Sequence, residues 1–431
     1  MVTGGGKKMG LVGASSLVVA NMVGTGLFLL PSSLANVGSV SILGWVVAAI
    51  GASALGLVFA HLAMVEPKAG GPYAYARDHV GRFPAFQTNL LYWFANVIGN
   101  VAIAVSVTGY LAIFFPSLKH PWVANACTAA IIWLFVWVNT RDAKLVGGFT
   151  TVSTIAGIVP IAFVGLFGWF WFQPQVFMES WNPGGVPLHS AIERSASIAL
   201  WAFLGVESAA VSAGVIENPK RNVPLATIIG LLISTVIYIS CCTVLMGVIP
   251  GKELRISGAP FAEAARMMLG PWAAIGISLA AILKAAGSLV GWILIVAQSA
   301  QAAANDGMFP ARFAQTNRHG MPVQNLVITG LMMMVMLLVS TSPDVATQFA
   351  HITDATVILM SVPYIYSVVA MWRLNRTLGM TSGKTQLFIV VGLVACLYCL
   401  SVVLGQSAEL DRKALLVLLI STPLFALIKR R

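Results

Sequence analysis

Charged side chains are scarce in this sequence of 431 residues. Only 9% of them are Asp, Glu, Lys or Arg, and only 14 are acidic, whereas 58% are hydrophobic. The mean hydropathy is +0.87. A soluble domain with so few charges would precipitate, so the composition excludes that class and predicts an integral membrane protein.

Cysteine, histidine and catalytic motifs are also in short supply. The five cysteines lie in or beside apolar stretches, with no CxxC pair near histidine or acidic residues, and we interpret them as small buried hydrophobes. The six histidines form no facing pairs of the kind that a haem or metal centre needs. Because convergent catalytic groups and cofactor motifs are lacking too, the sequence predicts no enzyme, no metal site and no cofactor. The lack of a charge ring or filter motif disfavours a channel.

Long apolar runs are what the sequence has in abundance. A membrane helix needs roughly 20 apolar residues, and the backbone within a bilayer must satisfy its own hydrogen bonds. The runs therefore predict one all-α membrane domain over residues 1–431, with twelve transmembrane helices. The predicted spans are 11–33, 41–64, 86–115, 122–139, 147–173, 194–213, 223–249, 272–304, 322–340, 348–372, 386–406 and 412–428.

Basic residues are distributed unevenly between the loops. Of the 25 Lys and Arg residues, 17 fall in one set of alternate loops and termini, 7 fall in the other set, and Lys284 lies inside a predicted helix. The basic segment Met1–Lys8 precedes an apolar run without a cleavage site, which predicts a retained first helix. An even number of spans places both termini on one side, which the positive-inside rule assigns to the cytoplasm. Topology and lipid headgroups explain the net charge of +11, so no nucleic-acid partner is needed.

Two predicted helices are interrupted by glycine. The first is broken at residues 24–26 and the sixth at Gly205, at matching positions of two five-helix units, 11–173 and 194–372. Because five is an odd number, the second unit enters the membrane inverted. Paired interrupted helices in inverted repeats indicate the midplane site of a secondary transporter. The helices over about 386–428 are then peripheral. The alternative, glycines that only allow close helix packing, stays open.

The chemistry of such breaks predicts the kind of ligand. A break frees backbone N–H groups at one half-helix end and C=O groups at the other, and lipid satisfies neither. The N–H groups and positive dipole end at Thr25 and Gly26 suit a carboxylate, with the Thr25 hydroxyl as a further donor. Carbonyls near Met22, Trp201 and Leu204 suit an ammonium group. Together they predict a receptor for the head of an α-amino acid.

Several strings along the chain carry a resemblance to a known family. They are GGPYAYAR at 70–77, QTNLLYW at 87–93, GWFWF at 168–172, LWAFLGVESAAV at 200–211 and ENPKRNVPLAT at 217–227. The chain resembles the amino acid, polyamine and organocation transporter superfamily, and is most similar to the bacterial arginine/agmatine antiporters of the basic amino acid/polyamine antiporter family. The resemblance implies ten core helices in a 5+5 inverted repeat with helices 1 and 6 interrupted, two peripheral helices, and a homodimer.

The resemblance also implies roles for matching positions in a substrate site. Thr25 and Gly26 would hold the substrate carboxylate. The carbonyls of Met22, Trp201 and Leu204 would hold its α-amine, and the Trp201 side chain would cover the site.

Further matching positions would contact the substrate side chain. Trp292 would pack on its aliphatic part, while Ala95, Asn96 and Asn100 would meet its distal cationic group. Asn96 and Asn100 lie four residues apart on one helix face, as a shared polar pocket requires. Hydrogen bonding between helices is the alternative role for these two amides.

Tyr92 and Glu207 would belong to a cytoplasm-side gate that responds to protons. A buried carboxylic acid beside Gly205 could titrate near the working pH, which makes proton-dependent gating physically reasonable. The alternative is a buried acid that is merely hydrogen-bonded to Tyr92.

Asp354 and Lys284 depart from the family pattern, which has small residues at these positions. Asp354 could bind the distal ammonium or guanidinium group of the substrate. Alternatively, Asp354 and Lys284 could neutralise one another, since an unpaired charge in the bilayer centre costs roughly 3 kcal/mol or more. We favour mutual pairing slightly and leave both readings open.

The sequence thus predicts an antiporter of the bacterial inner membrane for a cationic amino acid and its decarboxylated amine. Arginine for agmatine is the leading pair, with lysine for cadaverine and ornithine for putrescine as alternatives. Exchange of arginine for agmatine would remove one positive charge per cycle and support acid resistance beside a decarboxylase. A proton-coupled importer is the remaining alternative, although the predicted fifth helix lacks the lysine that some such importers carry.

Overall fold

The computed structural model describes residues 9–24, 26–67, 71–141, 143–317, 320–379, 382–406 and 408–429. Within these ranges the chain is almost entirely helical. Its α-helices are α1 (Leu11–Met22), α2 (Gly26–Ala35), α3 (Ser41–Val65), α4 (Gly71–His79), α5 (Arg82–Leu111), α6 (Pro121–Asn139), α7 (Ala143–Phe167), α8 (Pro174–Glu179), α9 (Leu188–Phe203), α10 (Ser208–Val211), α11 (Pro219–Val248), α12 (Gly251–Leu254), α13 (Pro260–Leu269), α14 (Pro271–Asn305), α15 (Val323–Val339), α16 (Val345–Thr377), α17 (Ser382–Leu404) and α18 (Ala408–Lys429).

The apolar helices account for the predicted membrane spans. In the described part of the chain, eight helices are by themselves long and apolar enough to cross a membrane, and the pair α1 and α2, bent by 42°, makes a ninth. Two shorter apolar helices lie at Val323–Val339 and Ala414–Leu427. Helices α9 and α10, with the break between them, lie where the remaining span is predicted. The all-α multi-pass membrane fold is therefore confirmed.

Burial separates the inner helices from the outer ones. In α5, 83% of the most apolar window is buried, compared with 28% in α6 and in the described part of α17. Helices that are apolar all round and half exposed belong at the periphery of a membrane domain, where lipid covers them. The interior includes α2, in which every residue is buried, and α5 and α16, whose most apolar windows are 83% and 67% buried.

Short contacts between loops define two faces of the domain. On one face, the Ser39 N–H group donates to the Ser180 carbonyl at 2.9 Å, just after α8. On the other, the Tyr73 hydroxyl in α4 donates to Asp306 Oδ2 at 2.7 Å, and Arg77 Nη1 approaches the same oxygen at 2.8 Å. Burial and the hydrogen bond to Asp306 raise the pKa of Tyr73, so its hydroxyl stays a donor. We call the two surfaces the α8 face and the α4 face.

Candidate substrate site at two broken helices

The two helix interruptions lie beside each other in the interior. Helix α1 ends at Met22 and α2 begins at Gly26, while α9 ends at Phe203 and α10 begins at Ser208. Gly205 has φ of +100°, a conformation that other residues rarely adopt, and a Cβ placed on it would lie 3.4 Å from Asn21 Cβ. The predicted pair of glycine-containing breaks is confirmed, and the two breaks are in contact.

A small central cavity of about 40 Å³ occupies this junction. Seven of the ten residues predicted to bind substrate line it: Met22, Gly26, Asn96, Asn100, Trp201, Leu204 and Trp292. Thr25 lies outside the described residues. Ala95 is fully buried in α5 and is not among the lining residues, so its predicted contact with substrate is not visible in this conformation.

The carbonyl groups at the breaks are less free than predicted. The Met22 carbonyl accepts from the Gly24 N–H group at 2.6 Å, and the Trp201 carbonyl accepts from the Leu204 N–H group at 3.3 Å. Each carbonyl oxygen has a second lone pair. An ammonium group could therefore still use both oxygens as acceptors.

Trp201 closes the central cavity. Its indole lies against Gly26, where an added Cβ would be 2.3 Å from Nε1, and against Gly99, where an added Cβ would be 3.1 Å from the ring. Its ring also meets Phe349 edge-on, with centroids 6.1 Å apart. Since about 40 Å³ holds only a few water molecules, a whole amino acid fits only after Trp201 moves.

Two hydrogen-bond donors at the cavity lack partners within the described structure. They are Trp201 Nε1 and Asn100 Nδ2, and both atoms are buried. A buried donor without an acceptor is destabilised by about 1 to 3 kcal/mol. A ligand oxygen, such as a carboxylate oxygen, would satisfy them.

A second cavity of about 300 Å³ continues from the first toward the α4 face. Asn21 and Trp292 line both cavities, and Tyr73 of α4 lines the second. Trp292 is half-buried and thus stands where the two spaces meet. The two cavities are therefore adjacent, and the second lies on the α4 side of the first.

Glu207 lies at the second break with two tyrosines. It is 1% exposed, and Tyr364 donates its hydroxyl to Glu207 Oε2 at 2.9 Å. Tyr92, which lines the second cavity, also interacts with this carboxyl group. The predicted association of Tyr92 with Glu207 is therefore present, whereas Tyr364 was missed. Its signal in the sequence is a hydroxyl group inside an apolar run, which needs a partner.

Loss of the Tyr364 hydroxyl is expected to impair this cluster. Tyr364→Phe removes the hydroxyl that donates to the buried Glu207 Oε2, at a cost of about 1 to 3 kcal/mol, so the apparent melting temperature and the transport rate should both fall. Thermal unfolding in detergent and transport in proteoliposomes measure these effects. Tyr366→Phe is the control, because Tyr366 lies on the same helix α16 as Tyr364 but donates its hydroxyl to Gln87 of α5. This variant should leave transport intact. Equal effects of the two variants would contradict a special role for Tyr364.

The predicted pairing of Asp354 with Lys284 is wrong. Asp354 instead forms an ion pair with Arg194, at 2.5 Å between Oδ2 and Nη2. Helix α9 begins at Leu188, six residues before the predicted span, and this extra length brings Arg194 alongside α16. Asp354 also lies outside the residues that line the central cavity, so it does not contribute to the site in this conformation.

Lys284 is held by neutral oxygen atoms. Its Nζ donates to the Ala20 carbonyl at 3.1 Å, to Ser288 Oγ at 3.2 Å and to Thr154 Oγ1 at 3.3 Å. Gly157 makes room for it, because an added Cβ would lie 2.2 Å from Lys284 Cβ. The ammonium group therefore joins α14 to α1 and α7 without a carboxylate among these bonds.

The corrected contacts predict independent effects of the two charges. Asp354→Asn and Lys284→Met should change stability additively, within about 0.5 kcal/mol, because residues without shared partners do not couple. A double-mutant cycle on thermal or denaturant unfolding in one detergent measures the coupling. Rescue of Asp354→Asn by Lys284→Met would instead show that the two charges neutralise each other.

A helical membrane domain with a cavity at two broken helices is the arrangement of a secondary transporter. The chain belongs to the amino acid permease family, whose sequence model matches residues 9–419. It is a transporter and not an enzyme. The cadaverine/lysine antiporter of Escherichia coli K12 is 37% identical over 407 residues, which are 93% of this chain and 90% of that protein.

Two further relatives are putrescine transporters. Putrescine transporter PotE of Escherichia coli K12 is 32% identical over 424 residues, 98% of this chain and 97% of the relative. Its counterpart in Haemophilus influenzae is 34% identical over 391 residues, 91% of this chain and 90% of the relative. The similarity therefore covers nearly the whole membrane domain and both helix breaks.

Proposed function

We propose that this protein is an antiporter that exchanges a cationic amino acid for its decarboxylated amine, with lysine and cadaverine as the leading pair. Arginine with agmatine is the substrate pair that the sequence resemblance alone favours. The relatives named for cadaverine, lysine and putrescine favour substrates with an unbranched chain and a terminal primary amine. Ornithine with putrescine and arginine with agmatine are the competing pairs.

The chemistry of the central cavity is the observation that carries this proposal. Its described lining provides two indole rings, three amides and backbone carbonyls, and includes no carboxylate. Indole faces attract organic cations, and carbonyl oxygens accept from ammonium groups. Such a neutral lining can hold a lysine with net charge +1 and a cadaverine with net charge +2 in turn.

Each end of the substrate has a matching group. The carboxylate would meet Gly26 and Thr25 at the start of the second half-helix, together with the unpaired Trp201 N–H group. The α-amine would meet the carbonyls of Met22, Trp201 and Leu204. Because cadaverine has no carboxylate, it would use only part of this set.

The distal ammonium would reach the amides of α5. Asn96 Nδ2 donates to the Tyr92 carbonyl at 2.7 Å, which leaves the Asn96 side-chain oxygen as an acceptor. Asn100 lies one turn further along the same face of α5, and Ala95 directly precedes Asn96 in the chain. Trp292 would pack on the methylene chain between the two ends of the substrate.

The excess of basic residues on the α4 face supports its placement in the cytoplasm, with both termini on that side of a bacterial inner membrane. In this orientation the second cavity connects the central site with the cytoplasm. Tyr92, Glu207 and Tyr364 then form the cytoplasm-side gate. A homodimer within the lipid bilayer completes the proposed assembly.

Counterflow in proteoliposomes tests the proposal. Vesicles preloaded with lysine should take up labelled cadaverine, whereas empty vesicles should not, because each turnover needs a substrate on both sides. Parallel loading with ornithine or arginine, and uptake of putrescine or agmatine, ranks the pairs. A potassium diffusion potential should change the rate, since one net positive charge crosses per exchange.

Two results would contradict antiport of cations. Uptake into empty vesicles that follows an imposed pH gradient would identify a proton-coupled importer. Exchange of neutral amino acids at the same rate as lysine would show that the distal ammonium is not recognised.

A further inference from the structure

A third cavity, of about 630 Å³, opens at the α8 face and is separate from the central cavity. We call it the outer cavity. It lies between α2, α9, the start of α16 and the end of α17, and its charged or titratable side chains are Glu193, Arg194, His351 and Asp354. Its volume is in the range of small-molecule sites. The proposed function does not use it.

The base of the outer cavity is a charged hydrogen-bond network. Asp354 is 3% exposed, and its carboxylate contacts Arg194 Nη2 at 2.5 Å and Gln406 Nε2 at 3.4 Å. Gln406 in turn contacts Arg194 and Ser197. The network therefore ties α9, the first half of the interrupted helix, to α16 and to the segment after α17.

This network lies close to Trp201, the residue that closes the central cavity. Asp354 precedes Thr356 of the central lining by two residues on α16, a rise of about 3 Å. Arg194 precedes Trp201 by seven residues on the same helix α9, a rise of about 10 Å. Phe349, which meets Trp201 edge-on, is on α16 five residues before Asp354. The network and the central cavity therefore share the helices α9 and α16.

The two partners in the ion pair differ in their freedom to leave it. The side chain of Arg194 is 35% exposed and lines the outer cavity, whereas that of Asp354 is 4% exposed. Arginine can therefore turn toward solvent at little cost, but a buried carboxylate needs a cation beside it. Glu193 and His351 are exposed on the cavity wall and do not replace that cation.

We propose that the outer cavity is a second substrate site, in which a primary ammonium group displaces Arg194 from Asp354 and thereby releases α9 from α16. The inference rests on the proposed exchange of cationic substrates. A basic amino acid or a diamine supplies the required ammonium group, whereas a neutral amino acid has only an ammonium balanced by its own carboxylate. The site thus admits cations and couples their arrival to opening of the α8 face.

Transport measured separately from the two faces tests this site. Membrane vesicles of defined orientation give the KM for cadaverine from the α8 face and from the α4 face. Asp354→Asn should raise the KM at the α8 face by about tenfold or more, as expected for loss of one charge-assisted hydrogen bond. The KM at the α4 face should stay within about twofold. Glu179→Gln, an exposed carboxylate in α8 outside the cavity, is the matched control and should change neither value.

Arg194→Gln provides a second and opposite test. Removal of the competing guanidinium should lower the KM at the α8 face, because the ammonium no longer has to displace it. A purely structural ion pair predicts lower stability for both variants without opposite shifts in KM. Equal KM shifts at both faces for Asp354→Asn, or an unchanged or raised KM for Arg194→Gln, would overturn the proposal. Failure of the wild-type protein to transport cadaverine, ornithine, lysine or arginine at all would instead refute the proposed function.

Discussion

Gly26→Ala is expected to reduce exchange by about tenfold or more, since overpacking of a filled site costs about 1 to 3 kcal/mol. The added Cβ would lie 2.3 Å from Trp201 Nε1 and 2.7 Å from Trp201 Cδ1. The indole cannot simply slide away, because Gly99 and Phe349 confine its other edges. The methyl group would also cover the half-helix N-terminus where the substrate carboxylate is proposed to bind. Counterflow and equilibrium binding of lysine measure the effect.

A matched glycine and a compensating change separate this effect from misfolding. Gly276→Ala in α14 adds a methyl group where no atom lies within 4 Å, and should leave exchange unchanged. Combining Gly26→Ala with Trp201→Leu provides space again and should recover part of the lysine binding. If Gly26→Ala binds lysine as tightly as the wild type does, the indole does not control the site.

The sequence was sufficient to predict the helices and their interruptions, because both follow from local rules. Apolar runs of membrane-spanning length define the spans, and a glycine such as Gly205 is favoured where φ is positive. The resemblance then placed seven of the predicted residues, among them Asn96 and Trp292, around one cavity. The spans and the breaks depend on position along a single helix, which the sequence states directly. The grouping of residues from several helices around the cavity came from the resemblance.

The charged residues could not be paired from the sequence because partner choice depends on helix ends and rotations. A start at Leu188 instead of 194 turned Arg194 from a loop residue into the partner of Asp354. Lys284 carries a charge that suggested a carboxylate partner, yet three neutral oxygens receive its hydrogen bonds. Tyr364 was missed for the same reason, since its contact with Glu207 spans 157 residues.

Substrate preference is the least accessible property, because a neutral lining distinguishes cations by shape more than by charge. Lysine and ornithine differ by one methylene group, and such a difference contributes only about 1 to 3 kcal/mol in a hydrophobic pocket. Arginine differs more, since a planar guanidinium requires several acceptors in one plane. Asn21, Asn96 and Asn100 are the described amides that could supply them in the central cavity.

Trp292→Ala is expected to weaken substrate binding by more than about tenfold, because a desolvated indole contributes roughly 2 kcal/mol to a bound cation. Trp292 lines both the central cavity and the second cavity, so the truncation removes a wall that the two spaces share. Lysine and cadaverine should lose similar affinity, since both present the same methylene chain and distal ammonium to the indole.

The conservative change and a distant tryptophan identify the physical cause. Trp292→Phe keeps an aromatic face and should retain part of the affinity that Trp292→Ala loses. Trp272→Ala alters an 84% exposed indole on the same helix α14 and should leave the dissociation constants unchanged. Calorimetric titration of each variant with lysine and with cadaverine measures these constants in detergent. A loss confined to lysine would place Trp292 at the carboxylate end instead, because the carboxylate is the group that cadaverine lacks.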